Sequence, residues 1–415
     1  MHSRQHVDPV IIYIGLSLGG SLLLSLAFTT NLLYYVETVG LDPLQMVLLG
    51  TVLEGTILVF EVPTGVVADV RGRKVSIVIG HALTGAAFCL QAVVPHLWAV
   101  ALAQAVWGIG YTFTSGAQEA WLADEVGPDR APEAFSRAGQ AAQFASLVGI
   151  GLAAWVGAGD LALPILVCGV GYVVLALALL PLMRESGYRP SGAADWSGWR
   201  AVVDTAARAV RLARRRQVLV WLLVSGVVLG LYSEGYDRLW MPHVLQGVGL
   251  PDHPELPTTA WFAGIRMGES LLGIGAVELA RRRLLSSGDR RLSYVLSLMA
   301  LGVVLGIAGV AWTRSFWVAA AAAIGISALR GVSALLRVTW LNRQIDDSSV
   351  RATLFSAIGQ ADSLGQVAGG PALGWVARAL SVPAGLTMSA LLLTPILPIY
   401  ALSGQRRAKA LGAAD

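Results

Sequence analysis

The side chains best placed to do chemistry in this chain are charges set inside long apolar runs: Glu54, Glu234, Asp237, Arg238, Arg266, Glu269, Arg330, Arg337 and Asp362. At mid-bilayer depth each isolated charge costs about 2.5–3.5 kcal/mol on insertion scales, so such groups must pair or face a wet cavity. Glu234 and Arg238 are four residues apart and can pair within one helix, and Arg266 and Glu269, three apart, can do so less favourably. Glu54 and Asp362 have no partner on their own helix. A buried carboxylate without a fixed cation can load and release a proton near neutral pH. These two are therefore the leading proton-coupling candidates, with Glu234 and Asp237 beside them. Arg330 could instead neutralise Asp362, which would make that pair structural or gated by substrate.

Neutral polar residues form stripes at helical spacing. One carries Gln104, Gly108, Tyr111, Ser115 and Gln118; another carries Ser17, Ser21, Phe28, Asn31 and Tyr35. Amide, hydroxyl and aromatic groups together suit an amphipathic organic ligand, although small and polar residues also serve plain helix packing. Tyr232, Tyr236 and Trp240 form a stripe roughly opposite Glu234, Asp237 and Arg238. We assign the charged face inward and the aromatics to packing or interface anchoring. His81 stands alone and reads as a packed or snorkelling residue. Cys89 and Cys168 are each isolated, and no ligand spacing or nucleophile–base pair occurs, so neither a metal, a cofactor, a disulfide nor an enzyme is expected.

The elements that must position these residues are membrane helices. Of 415 residues only 13% are charged and 55% are hydrophobic, mean hydropathy is +0.64, and there are 47 glycines. That composition excludes an ordinary cytosolic enzyme and a disordered chain. Apolar runs lie near 10–37, 43–68, 75–94, 97–123, 137–158, 161–183, 218–243, 259–280, 292–311, 315–342, 353–377 and 382–403. Twelve spans follow at about twenty residues each. The net charge of +4 does not indicate nucleic acid, because the basic residues sit in loops on one side. Eight arginines fall between Arg184 and Arg216 and five between Arg281 and Arg291, whereas the loops of the opposite side hold Arg314 and Arg378 only. The positive-inside rule then puts both termini in the cytoplasm, in a multi-pass protein of a bacterial inner membrane.

Residues 185–217 form the one long connection, dividing the chain into six-span bundles at 1–184 and 218–415. Trp196, Trp199, Val203 and Val210 lie opposite Arg200, Arg208, Arg211 and Arg215, the pattern of an amphipathic helix in the inner interface. The two halves repeat. Phe135-Ser136 and Gly139-Gln140-Ala141 recur as Phe355-Ser356 and Gly359-Gln360-Ala361, an offset of 220 that also carries Gly149 onto Gly369 and Trp155 onto Trp375. One span earlier Trp98 matches Trp317 and Trp121 matches Trp340. An offset of six spans preserves orientation and predicts a pseudo-twofold along the membrane normal.

The loop Gly65-Val66-Val67-Ala68-Asp69-Val70-Arg71-Gly72-Arg73-Lys74 resembles the signature loop of the major facilitator superfamily. With two sets of six spans and parallel repeats, the resemblance covers the whole chain. It implies an all-α membrane fold of twelve helices, a central cavity lined mainly by spans 1, 4, 7 and 10, and spans 3, 6, 9 and 12 outside. It also implies that Gly65, Asp69, Gly72, Arg73 and Lys74 act as a gate, with Asp69 facing the inner end of span 11 and Arg73 pairing with Asp124 or Glu119. Three departures stand out. The loop after span 8, Gly275 to Arg281, keeps a blurred version of the motif. Gln104 stands where drug–proton antiporters carry an arginine. Gly149-Ile150-Gly151 lacks their glycine–proline, and Gly369-Gly370-Pro371 in span 11 carries a similar pattern instead. The implied function is alternating-access transport by a monomer, most naturally proton-coupled export of drugs or metabolites. The alternatives are uptake of an anionic metabolite through Arg266, Arg330 and Arg337, or a sensor or lipid-handling role. The expected substrate cavity comprises Asn31, Tyr35, Gln104, Tyr111, Ser115, Gln118, Arg238, Arg266, Glu269 and Arg330.

Overall fold

A computed structural model describes residues 7–188, 217–253, 255–344 and 348–401. These form twelve membrane-length helical spans and no strand. Span 1 is Pro9–Leu33, span 2 Pro43–Arg71, span 3 Arg73–Val93, span 5 Ala131–Val156 and span 6 Ala162–Leu182. Span 4 is Leu97–Thr114 followed by Ala117–Val126, broken at Gly116, whose φ of 72° belongs to a residue without a Cβ. In the second half, span 7 is Gln217–His243, span 8 Thr258–Leu284, span 9 Asp289–Trp312, span 10 Phe316–Gln344, span 11 Ser348–Ala379 and span 12 Val382–Ala401. Among the described residues nine of these contain a stretch long and apolar enough to cross a bilayer; the other three are spans 7, 8 and 11.

Local chemistry sets several ends. The Asp8 carboxylate accepts from the Val10 amide at 2.9 Å and Pro9 takes the first helical position, an N-terminus built from two independent preferences. That amide bond, then the Arg130 guanidinium, hold the Asp8 carboxyl below its usual range. Spans 1 and 7 both end in a π-helical turn, at Tyr34–Thr38 and Val244–Val248. The helix foreseen at 185–217 falls largely on residues outside those described.

The chain divides into two compact units. The first holds residues 1–40, 56–202 and 256–263; the second holds 41–55, 203–255 and 264–415. The division departs from the sequence boundaries chiefly at the first parts of spans 2 and 8. In the second unit Leu44 and Val47 of span 2 lie against Gly374 of span 11, and Asp42 meets Arg378 at 3.7 Å. In the first unit Thr259 donates to the Ala154 carbonyl of span 5 at 3.1 Å.

Within each unit helices touch through glycine. A methyl on Gly80 would meet the Gly110 carbonyl at 2.7 Å, and one on Gly85 would meet that of Gly169 at the same distance. A methyl on Gly149 would strike the Leu22 carbonyl of span 1, and one on Gly369 the Leu231 carbonyl of span 7. Close backbone approach is what holds helices together where lipid removes the hydrophobic drive. Equivalent tryptophans also share their environment: Trp98 and Trp317 are 61% and 66% exposed, Trp155 and Trp375 79% and 62%, while Trp121 and Trp340 are 1% exposed.

Candidate functional site

The second unit contains a cavity of about 300 Å³ bordered by spans 7, 9, 10, 11 and 12. Tyr232, Ser233 and Asp237 reach it from span 7, Arg330, Ser333 and Arg337 from span 10, Asp362 and Gln366 from span 11, and Tyr400 from span 12. Its fixed point is a two-pronged ion pair: Arg330 Nη1 and Nη2 donate to Asp237 Oδ1 and Oδ2 at 2.5 and 2.9 Å. The planar guanidinium matches a carboxylate in this geometry, and it lies 5.8 and 5.9 Å from the Tyr232 and Tyr236 ring centres, so the rings share its charge. Arg330 therefore serves Asp237 and not Asp362.

The Asp362 carboxylate accepts from the Gln366 amide at 2.9 Å, one helical turn on. Glu54, from the first part of span 2, accepts from the Ser363 hydroxyl at 3.2 Å. Among the described residues neither carboxylate makes an ion pair. The remaining acids do: Glu234 with Arg238 and Glu269 with Arg266, each at 3.4 Å and within one helix. A methyl on Gly50 of span 2 would run into the Glu234 carboxylate, so that glycine makes room for the pair. Arg337 borders the cavity, faces the Tyr400 hydroxyl and has no acidic partner among the described residues.

The aromatic stripe of span 7 requires a correction. Tyr232 lines the cavity together with Asp237, and Tyr232, Tyr236 and Trp240 are all buried, so none is an interface anchor. At about 100° per residue Asp237 lies roughly 140° from Tyr232, whereas Glu234 is nearly opposite it. Arg330, reaching in from span 10, closes that gap. Tyr232 and Asp237 thus share one wall, Tyr236 and Trp240 stack as packing residues, and Glu234 with Arg238 turns toward span 2.

In the first unit the neutral polar residues find one another. Tyr35 donates to Gln91 Oε1 at 2.9 Å and accepts from Asn31 at 3.1 Å and from Gln104 at 2.9 Å. Gln91 returns a bond to Asn31 Oδ1 at 2.6 Å, and Tyr34 donates to the Gln91 carbonyl at 2.6 Å. Asn31, Tyr35 and Gln104 are therefore buried in one network, which leaves Gln104 Oε1 without a bonding partner. Tyr111 and Ser115 are exposed, and Gln118 lies 3.4 Å from His81, a buried ring packed on Tyr172.

The loop between spans 2 and 3 is held from below. Arg73 Nε donates to Asp124 at 2.7 Å, while Glu119 is exposed. Gly72 has φ of 103°, and a side chain there would meet Glu185, whose carboxylate caps span 3 through the Lys74 amide at 2.8 Å. Lys74 Nζ donates to the Leu180 carbonyl, Tyr188 to the Asp69 carbonyl and Trp121 to the Arg184 carbonyl, at 2.7, 2.6 and 2.6 Å. Residues 184–188 thus lace the loop to the end of span 4, a role the sequence pattern did not reveal. Gln91, Ser363, Gln366 and Tyr400 were also missed. Only Gln366 had a local signal, its spacing of four from Asp362.

Comparison with known proteins agrees with this architecture. The family model described as Major Facilitator Superfamily matches residues 11–370. An uncharacterized MFS-type transporter of Bacillus subtilis (strain 168), YxaM, is 22% identical over 215 residues, 52% of this chain and 54% of that protein. The chain thus spans about half the length of that curated relative. Among solved structures, the nucleoside transporter NupG superposes with a TM-score of 0.75 at 13% identity, covering 96% of this chain and 99% of the other. A peptide transporter, POT, in complex with sulfate superposes at 0.74 and 12% identity, covering 98% and 96%.

Proposed function

Since the chain belongs to the major facilitator superfamily and is a membrane transporter of that type, we propose that it exports small organic compounds in exchange for protons. The observation that carries this reading is the contrast among its acids. Asp237, Glu234 and Glu269 each face an arginine, whereas Glu54 and Asp362 are held by a hydroxyl and an amide. Protonating either of the last two breaks no ion pair, so the proton can come and go at smaller cost than at the paired acids. Asp362 borders the cavity, where a proton and a solute compete directly. Glu54 ties span 2 to span 11, so its protonation loosens a contact between helices and biases one conformer.

The solute fits the volume and chemistry of the cavity: a compact molecule with hydroxyl or carbonyl groups for Ser233, Ser333 and Gln366, and an apolar part against Leu296 and Leu393. Uptake of an anion is the weaker reading, because Arg330 and Arg266 each already face a carboxylate. Arg337 remains to receive an acidic group on the solute. In this scheme the loop from Gly65 to Lys74, tied by Arg73 to Asp124, steadies the cytoplasmic side during alternating access. The protein would work as a monomer in a bacterial inner membrane, with both termini in the cytoplasm and without enzymatic activity.

The test is proton release from acidified inverted membrane vesicles, followed by a ΔpH dye while drugs and metabolites are added singly. Export predicts compound-dependent dequenching in vesicles with the protein and none in vesicles without it. Silence across a broad panel, from protein shown to be folded, contradicts it.

A further inference from the structure

On the face of span 10 opposite the charged cavity, spans 8, 9 and 10 enclose a second hollow of about 330 Å³. Its walls are apolar, including Leu279, Ala280, Ala328 and Leu329, and its only charged lining residues are Arg283 and Arg291. A neighbouring open hollow of about 530 Å³ runs along span 9 past Tyr294, Val295 and Leu298. Arg290 and Arg291 border it, and Arg290 lies 5.8 Å from the Tyr294 ring centre. Arg291 belongs to both hollows.

The arginines here divide into two sets. Arg281 and Arg282 share Glu278, at 2.8 and 2.5 Å. Arg283, Arg290 and Arg291 are exposed and pair with no acid among the described residues. Three uncompensated cations thus gather at the mouth of two apolar hollows that open on exposed apolar helix faces, Leu279 being 53% and Leu298 68% exposed. We propose that this is a site for a two-chained anionic phospholipid, with its phosphate at Arg291 between Arg283 and Arg290 and one acyl chain in each hollow. The shared arginine argues for two chains joined at one headgroup, because a free phosphate would leave both hollows unfilled. The basic rim argues for an anionic lipid over a zwitterionic one.

The test is native mass spectrometry of the full-length protein in neutral detergent, titrated with dioleoyl-phosphatidylglycerol or dioleoyl-phosphatidylcholine. The wild type should retain one phosphatidylglycerol under conditions where it sheds phosphatidylcholine. Exchanging both arginines (Arg283→Gln with Arg291→Gln) should weaken retention about tenfold or more, and Ala280→Trp, which fills the hollow and leaves the arginines in place, should weaken it as well. Arg314→Gln, an exposed arginine in the loop between spans 9 and 10, should leave it unchanged. Equal retention of the two lipids, an unaffected double variant, an equal loss in Arg314→Gln, or displacement by inorganic phosphate would each overturn the proposal.

Discussion

In the first half of the chain the polar centre is Asn31, Tyr35, Gln91 and Gln104, none more than 3% exposed and bonded to one another across spans 1, 3 and 4. In the second half it is Asp237, Arg330, Arg337 and Asp362 around a cavity of about 300 Å³. The scaffold beneath is the same: equivalent glycines, equivalent tryptophans and π-helical turns at the ends of spans 1 and 7. A polar group in a membrane bundle is therefore not a site by virtue of its polarity. What matters is whether its bonding capacity is already used within the protein. Neutral amides can bond to one another and leave little open volume, whereas of the two carboxylates and two arginines around the cavity only Asp237 and Arg330 pair, which leaves Asp362 and Arg337 facing open volume.

The comparison can be broken at its shared part first. Gly149→Val and Gly369→Val each drive a side chain into a neighbouring carbonyl and should cost about 3 kcal/mol or more, read as loss of folded protein in thermal unfolding. Tolerance at one position and collapse at the other would mean the halves do not share their packing. Next comes the ion pair. Arg330→Met or Asp237→Leu alone should destabilise by about 1–3 kcal/mol, less than a fully buried pair because these side chains are 33% and 43% exposed. The double variant should recover most of that loss, which a double-mutant cycle measures.

Tyr35→Phe tests the buried network. It removes one hydroxyl with three partners and should cost about 1–2 kcal/mol while leaving proton coupling intact. Loss of coupling in a folded Tyr35→Phe protein would put the first half's polar centre in the mechanism. The smallest stability effect is expected at Arg73→Gln, at most about 1 kcal/mol for a partly exposed pair. Its signature is a lower transport rate with substrate affinity kept, seen in initial-rate measurements.

Much of this was legible in the letters. Twelve apolar runs and the repeat at 220 determine the helices and their pairing, because membrane length and small-residue contacts leave few alternatives. The charged positions were also legible, since each is conspicuous in an apolar run. Partners on the same helix were legible too, Glu234 with Arg238 and Arg266 with Glu269, but partners on other helices were not. Arg330 sits three spans from Asp237, and nothing local distinguishes Asp237 from Asp362 as its mate. Gln91 lay in a span expected to stand outside, and Ser363 is an unremarkable hydroxyl until Glu54 is brought against it. The strap at 184–188 escaped notice because its bonds are mostly backbone carbonyls and one glutamate, which carry no pattern. Tyr232 was turned the wrong way because helical-wheel reasoning ignores an arginine long enough to join two faces.

The most direct measurement of the central claim sets the two compact units side by side in acidified inverted vesicles, with a compound that the wild type exports. Asp362→Asn and Glu54→Gln should abolish compound-driven proton release, while Tyr35→Phe and Gln104→Leu, where folded, should retain it. Full proton release in both Asp362→Asn and Glu54→Gln, or its loss in the folded Tyr35 and Gln104 variants alone, would contradict the assignment of coupling to the second compact unit, which holds both acids.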